Sequence, residues 1–159
     1  MKFMKIAAIL LPMFMLAENV EIVSNSFEAD EMKRISIFEG NVNIKRGSDE
    51  INASKVIVYF DENKKPFKYE AIKNVKFLII LNKNKIYSGR AGKIIYLPKK
   101  AEYIFEKNVY IHQKPEDRKI YGEKIIINKE SGQAKVTGKD SKPVKFIFKI
   151  DDNSSKATE

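Results

Sequence analysis

Residues 38–60 read FEGNVNIKRGSDEINASKVIVYF: two alternating apolar runs joined by a polar turn that contains glycine. Val42 and Ile44 alternate with Asn43 and Lys45, and Ile51 and Ala53 alternate with Asn52 and Ser54. A period of two places successive side chains on opposite faces of a strand, so the stretch predicts a β-hairpin with one apolar face. The phase then slips. Val56 and Val58 take up the apolar rhythm one residue out of step with Ala53, and an extra residue in a strand is the mark of a bulge.

The hairpin recurs. IKNVKFLIILNKNKIYSGRA begins at Ile72 and FEKNVYIHQKPEDRKIYGEKIII begins at Phe105. The Asn-Val pairs at 41–42, 74–75 and 108–109 are spaced by 74 − 41 = 33 and 108 − 74 = 34 residues. A second anchor, Ile51, Ile86 and Ile120, gives 35 and 34, and a basic residue follows four positions later each time: Lys55, Arg90 and Lys124. A fixed period of this length signals an array of similar units with atypical copies at its ends. VTGKDSKPVKFIFKI reads as a partial last copy and IVSNSFEADEMKRISIFEG as a degenerate first one. Gly40 and Gly138 sit at matching positions, where a bulge or turn needs a permissive backbone.

The body is therefore expected to be all-β, with about ten or more short antiparallel strands and turn signals every ~8–12 residues. No run after residue 17 carries a helical apolar period. Hairpins with one apolar face can bury it in a two-sheet sandwich or in a rolled trough. The residues in that phase are Phe38, Val42, Ile44, Ile51, Val56 and Val58 in the first unit. The second gives Val75, Phe77 and Ile86, and the third Phe105, Val109, Ile111, Ile120, Ile125 and Ile127. Periodicity alone leaves open whether these pack as a dry core or line a groove. Val144, Phe146, Phe148 and Ile150 share one face of the last strand and are either core or an edge for assembly.

Of 159 residues, none is cysteine and one, His112, is histidine. That excludes disulfides and thiolate metal sites, and leaves one imidazole for any triad, so no catalytic or metal site is assigned and no cofactor is expected. His112 falls in the outward phase beside Ile111. Glu28, Asp30 and Glu31 read as a polar loop rather than an acid–base pair. The net charge is +9, from lysines scattered along the chain. They fit a solvated sheet surface or an acidic partner. Nucleic acid is not expected, because Phe38, Phe77 and Phe105 share the phase of the aliphatics instead of standing among basic residues.

The segment MKFMKIAAILLPMFMLA, residues 1–17, has lysines at 2 and 5 and then a short apolar run before Ala17. This is the layout of a secretory signal, and the run is about half the ~20 residues that span a bilayer. The expected organisation is a signal peptide over 1–17, one β domain over 18–150 and a disordered tail over 151–159. An uncleaved leader would act as an anchor.

FEGNVNI followed by INASKVIVY, and FEKNVYI followed by IYGEKIIIN, resemble the repeated pattern of the LptA/OstA family of periplasmic lipopolysaccharide-transport proteins over most of residues 20–138. The glycine of the first copy is Lys73 and Lys107 in the later ones. The resemblance implies stacked hairpins in an open, twisted β-jellyroll, a V-shaped trough, with no enzyme activity. It implies a periplasmic protein that holds the lipid A acyl chains of lipopolysaccharide on the apolar phase named above. Lys55, Arg90 and Lys124 are then candidate headgroup contacts near the groove mouth. Like-folded transport proteins at the inner and outer membranes, or further copies of the chain, would join it by edge-strand pairing, with Val144 to Ile150 as one such edge. A retained anchor would instead suit an LptC-like partner of the same pathway. An exported β-rich structural or protein-binding module is the alternative outside transport.

Overall fold

The computed structural model describes residues 19–82 and 84–150. The leader and the tail expected from the sequence lie outside the described residues. Ten strands run in chain order: β1 (Val20–Val23), β2 (Ser26–Asp30), β3 (Ile35–Arg46), β4 (Asp49–Phe60), β5 (Pro66–Leu81), β6 (Lys85–Leu97), β7 (Glu102–Lys114), β8 (Arg118–Asn128), β9 (Ala134–Thr137) and β10 (Lys145–Ile147). One 3-10 turn, Pro98–Lys100, interrupts them. The strands form a single antiparallel sheet in which β3 to β8 pair in sequence order. β1 and β2 both lie along β3, and β9 and β10 both lie along β8. Each end of the sheet is thus capped by one strand broken in two, as expected of atypical terminal copies. The central strands are longer than the short strands predicted, reaching 16 residues in β5.

These long strands are not straight. The register shifts between Glu39 and Val42, between Ile72 and Val75, and between Glu106 and Val109. At those points two consecutive residues take the left-handed conformation: Gly40 and Asn41 (φ 80° and 45°), Lys73 and Asn74 (66° and 50°), Lys107 and Asn108 (67° and 50°). Asparagine enters this region more readily than most residues, whereas for lysine it costs roughly 1–2 kcal/mol. The returning strands shift at Asn52–Lys55 and Arg90–Lys93. The shifts line up from strand to strand, so the sheet is creased along one line and its halves fold over each other. One layer holds β2, the first halves of β3, β5 and β7, the second halves of β4, β6 and β8, and β9. The other holds the complementary halves with β1 and β10.

Between the layers lies the core. Val56, Val75, Ile79, Phe105, Ile111 and Ile125 are fully buried, and Val42, Ile94, Leu81, Val109 and Ile127 nearly so. Each such side chain contributes about 1.5–3 kcal/mol of burial. The Phe77 and Phe105 rings meet across the layers with centroids 4.6 Å apart.

The register corrects one repeat assignment. Ile51, Gly89 and Ile120 occupy one inward row, through the pairs Ile51–Phe77, Phe77–Gly89, Gly89–Ile111 and Ile111–Ile120. Ile86 is out of phase with that row. It is half-buried on the outer face, and Tyr87 holds the inward position. The second hairpin is longer than the first, 91 − 75 = 16 residues between its crease pair Val75–Ala91 against 53 − 42 = 11 for Val42–Ala53, mostly in its strands, and this displaces the sequence anchor by three residues. A Cβ at Gly89 would stand 1.9 Å from the Tyr110 carbonyl oxygen, a backbone atom that cannot step aside. Gly89→Ala is expected to destabilise by about 3 kcal/mol or more in urea unfolding, while Ser88→Ala next to it stays within about 0.5 kcal/mol. Equal midpoints for the two variants would show that the strands do not approach so closely.

Candidate functional site

The space between the layers has two unlike sides. Along the crease the chain itself joins the layers, strand after strand. Along the opposite side the layers meet only through turns and side chains, and this side is the mouth of the trough.

The apolar rows run from one sheet end to the other. One crosses Phe38, Val56, Ala71, Ile94, Phe105 and Ile125, and pairs with Phe27 at one end and Val136 at the other. Another crosses Val58, Tyr69, Tyr96, Tyr103 and Ile127. Of the inward residues read from sequence, all but Phe38 and Ile86 are buried, and Phe38 is half-buried against the core. Period two counted on from Phe77 would also have found Ile79 and Leu81. The facing tyrosines 69, 96 and 103 carry no such signal, because the pairing that stacks them spans three strands. Tyr96 and Tyr103 have ring centroids 4.5 Å apart.

At the mouth the rows turn polar. Asp49, at the start of β4, is 4% exposed. Its carboxylate accepts hydrogen bonds from the backbone N–H of Ile80 (3.0 Å) in its own layer. From the opposite layer it accepts the Tyr103 hydroxyl (2.8 Å) and the Lys129 ammonium (2.6 Å). Beside it the Arg46 guanidinium donates to the Tyr96 hydroxyl and lies 4.7 Å above the Tyr96 ring. Burial, with the charge of Asp49, pushes the Tyr103 phenol far above its ordinary range, so it stays a donor. These contacts clasp the layers over a cleft lined by Val20, Ile44, Ile51 and Tyr69 with Arg46, Asp49, Tyr96 and Tyr103. The cleft is small, with a volume of about 30 Å³, and opens to solvent.

The basic ladder does not sit here. Lys55 and Lys124 lie on the outer face beside the crease, where Glu39 (3.3 Å) and Glu106 (3.8 Å) pair with them. The residue between them in the row is Lys93, through the pairs Lys55–Ile72, Ile72–Lys93, Lys93–Glu106 and Glu106–Lys124. Arg90 belongs to the next outer row, across the crease. Lys93 is held by Glu70 at 2.9 Å. Burial opposes ionisation of Glu70, but Lys93, Tyr59 and Lys68 outweigh it and hold the carboxyl below its usual value. The row therefore faces away from the trough rather than its mouth, and each of its lysines is paired with a glutamate. His112 points outward and bonds Asp117 at 2.6 Å. Lys149 and His112 hold the Asp117 carboxyl down at about 2. Asp30 accepts a turn N–H from Lys33 at 2.9 Å. Among the described residues there is no cluster of groups that could hold a metal ion.

Among the described residues, no further strand pairs with either end of the sheet. Val23 and Phe27 are exposed at the β1–β2 end. At the β10 end Val144, Phe146, Ile147, Phe148 and Ile150 are exposed, with the Phe146 and Phe148 rings 5.5 Å apart. Phe146 pairs with Ile120, and β10 is the last strand on that side of the described sheet.

A single antiparallel sheet creased into an apolar trough, clasped at its mouth and, among the described residues, unpaired at both ends, defines an open β-jellyroll. The chain belongs to the LptA/(LptD N-terminal domain) LPS transport protein family, whose profile matches residues 21–133. This is a family of transport components rather than enzymes. Among solved structures the fold is similar to LptH from Pseudomonas aeruginosa, the LptA-homologous periplasmic component of that organism's lipopolysaccharide transport device. The TM-score is 0.74 at 13% identity, covering 84% of this chain and 96% of that one. No curated protein matches by sequence.

The clasp sets a prediction. Asp49→Ala leaves the Tyr103 hydroxyl and the Lys129 ammonium without their acceptor. Lys129 is partly solvated, so the expected cost in urea unfolding is about 2 kcal/mol, against about 1 kcal/mol for Tyr103→Phe. No loss in Asp49→Ala would mean that the layers are not held together at this point.

Proposed function

We propose that this chain carries lipopolysaccharide through the periplasm, holding the acyl chains between its layers and handing them on to like-folded proteins at the inner and outer membranes. The observation that carries the reading is the run of inward apolar rows from one bare sheet end to the other. A closed core has continuous apolar rows too, but covers their ends; here they run out to exposed Phe27 at one end and Phe146 at the other. A stack of units that passes acyl chains lengthwise needs such open ends, and each CH₂ transferred from water into it is worth about 0.8 kcal/mol. Family membership supports the cargo.

The ends support the handover. Among the described residues, nothing pairs with the outer edges of β1–β2 and β9–β10, which are flanked by exposed Phe27 and Phe146. A strand from another protein can add there and extend both the sheet and the apolar rows. Head-to-tail copies of the chain would use the same two edges.

Acyl chains enter by parting the mouth. Inward residues such as Ile111 and Ile125 are fully buried within one chain, so cargo must separate the layers along the clasped side while the crease stays whole. A photo-crosslinking residue placed singly at Phe38, Phe77 or Ile120 is expected to form adducts with lipopolysaccharide, and one at outward, exposed Asn52 none. Adducts at Asn52 alone, or at none of the four with folded protein and saturating lipid, would refute the groove and leave a structural or protein-binding module.

A further inference from the structure

On the outer face, next to the crease, one register row reads Lys76, Arg90, Tyr110, Tyr121, Lys145 across β5, β6, β7, β8 and β10. The Arg90 guanidinium lies 5.3 Å from the centre of the Tyr110 ring. The Tyr110 and Tyr121 rings are 4.9 Å apart, and the Lys145 ammonium is 5.7 Å from the Tyr121 ring. Cations thus flank two adjoining aromatic rings. The surface is concave on both sides of Arg90. One hollow is lined by Arg90, Asn108, Tyr110, Tyr121 and Lys142, among others, and the next by Asn74, Lys76, Arg90, Lys107 and Asn108. Arg90 and Asn108 belong to both, so the hollows form one strip.

The row beside this one is neutralised lysine by lysine. This one is not. Among the described residues, no carboxylate pairs with Lys76, Arg90, Lys107 or Lys145. The acid in the strip, Glu123, is taken by Lys139 at 2.9 Å. Gathering unpaired like charges costs free energy that a bound anion returns, and a guanidinium takes a phosphate through two parallel hydrogen bonds. Half-buried tyrosine rings offer flat apolar faces, and the Asn74 and Asn108 amides at the crease offer donors and acceptors.

We propose that this strip is a binding site for a phosphorylated saccharide. A phosphate sits at Arg90 between Lys76 and Lys107, a sugar ring lies by its C–H face against Tyr110 and Tyr121, and its hydroxyls meet Asn108. The same chemistry is carried by a free phosphorylated oligosaccharide and by the headgroup of a glycolipid. A nucleic acid also combines anions with flat rings, but a strip two rings long suits a short sugar better than a strand that needs a continuing stacking path. The site lies outside the trough and does not depend on acyl chains entering it.

The probe is lipopolysaccharide freed of its acyl chains, titrated into the folded protein while the amide resonances of Gly92 and Gly122 and the tyrosine fluorescence are followed. The chain has no tryptophan to mask that signal. Saturable shifts are expected. Binding should weaken about tenfold in Arg90→Gln and about threefold in Lys76→Gln, and stay unchanged in Lys33→Gln. The dephosphorylated oligosaccharide should not bind. Intact lipopolysaccharide should move the same resonances if the headgroup is recognised on the lipid, and should leave them still if the site takes only free saccharide; either agrees with the site. The proposal is overturned by an absence of saturable shifts, by equal affinity in Arg90→Gln and Lys76→Gln, by an oligothymidylate that binds as tightly, or by shifts that need the acyl chains. The probe has no acyl chains, so failure here is distinct from failure of the groove.

Discussion

The crease governs everything else in this molecule. A flat antiparallel sheet of ten strands would expose one apolar face to water. Here paired left-handed residues at 40–41, 73–74 and 107–108 bend every second strand at the same height. The returning strands answer with their own register shifts, so the apolar face closes on itself. The strain of two left-handed lysines, a few kcal/mol together, is small beside the burial of some twenty apolar side chains at about 1.5–3 kcal/mol each. Because the crease is continuous backbone, the two layers cannot slide or separate along it.

The opposite side is held differently. Asp49, Tyr103 and Lys129, with Arg46 and Tyr96, make a handful of side-chain contacts. A hinge of backbone on one side and a side-chain clasp on the other is an arrangement that can open in one direction only. It is also local. The clasp sits where β3 and β4 face β6 and β7, which leaves the far end of the mouth to turns. The apolar rows within and the charge outside then do separate work. Inward residues provide an apolar surface, while the outer face divides into a neutralised lysine–glutamate row and a basic–aromatic one that no carboxylate of the described residues neutralises.

Much of this was legible in sequence, for a physical reason. Period two in a strand reports its face directly, so Val42, Ile44, Val56, Val58, Phe105, Ile125 and Ile127 could be placed inward without coordinates. Asn-Val marked the crease because the left-handed bend selects asparagine. The second anchor failed in the middle unit, where Ile86 was read as inward and Arg90 as a rung of the lysine ladder. Hairpin arms differ in length without changing the fold, and arms of different length break fixed spacing while leaving pairing intact. The true rung, Lys93, emerges only from register. The clasp was beyond reach for another reason: Asp49 and Tyr103 are 54 residues apart and meet only once the layers fold over. The tyrosine pair 110 and 121 was hidden too, because tyrosine counts as apolar in a pattern and yet stands on the outer face.

The central claim is that the layers hinge at the crease and part at the mouth to admit acyl chains. The absence of native cysteine allows it to be measured by pulsed electron paramagnetic resonance with spin labels at chosen pairs. One pair, Ser48→Cys with Glu130→Cys, spans the mouth; the other, Lys55→Cys with Lys76→Cys, spans the crease. On adding lipopolysaccharide the distance across the mouth is predicted to lengthen and that across the crease to stay fixed. Saturating lipid that leaves both distances unchanged, or lengthens the crease pair, would contradict the account.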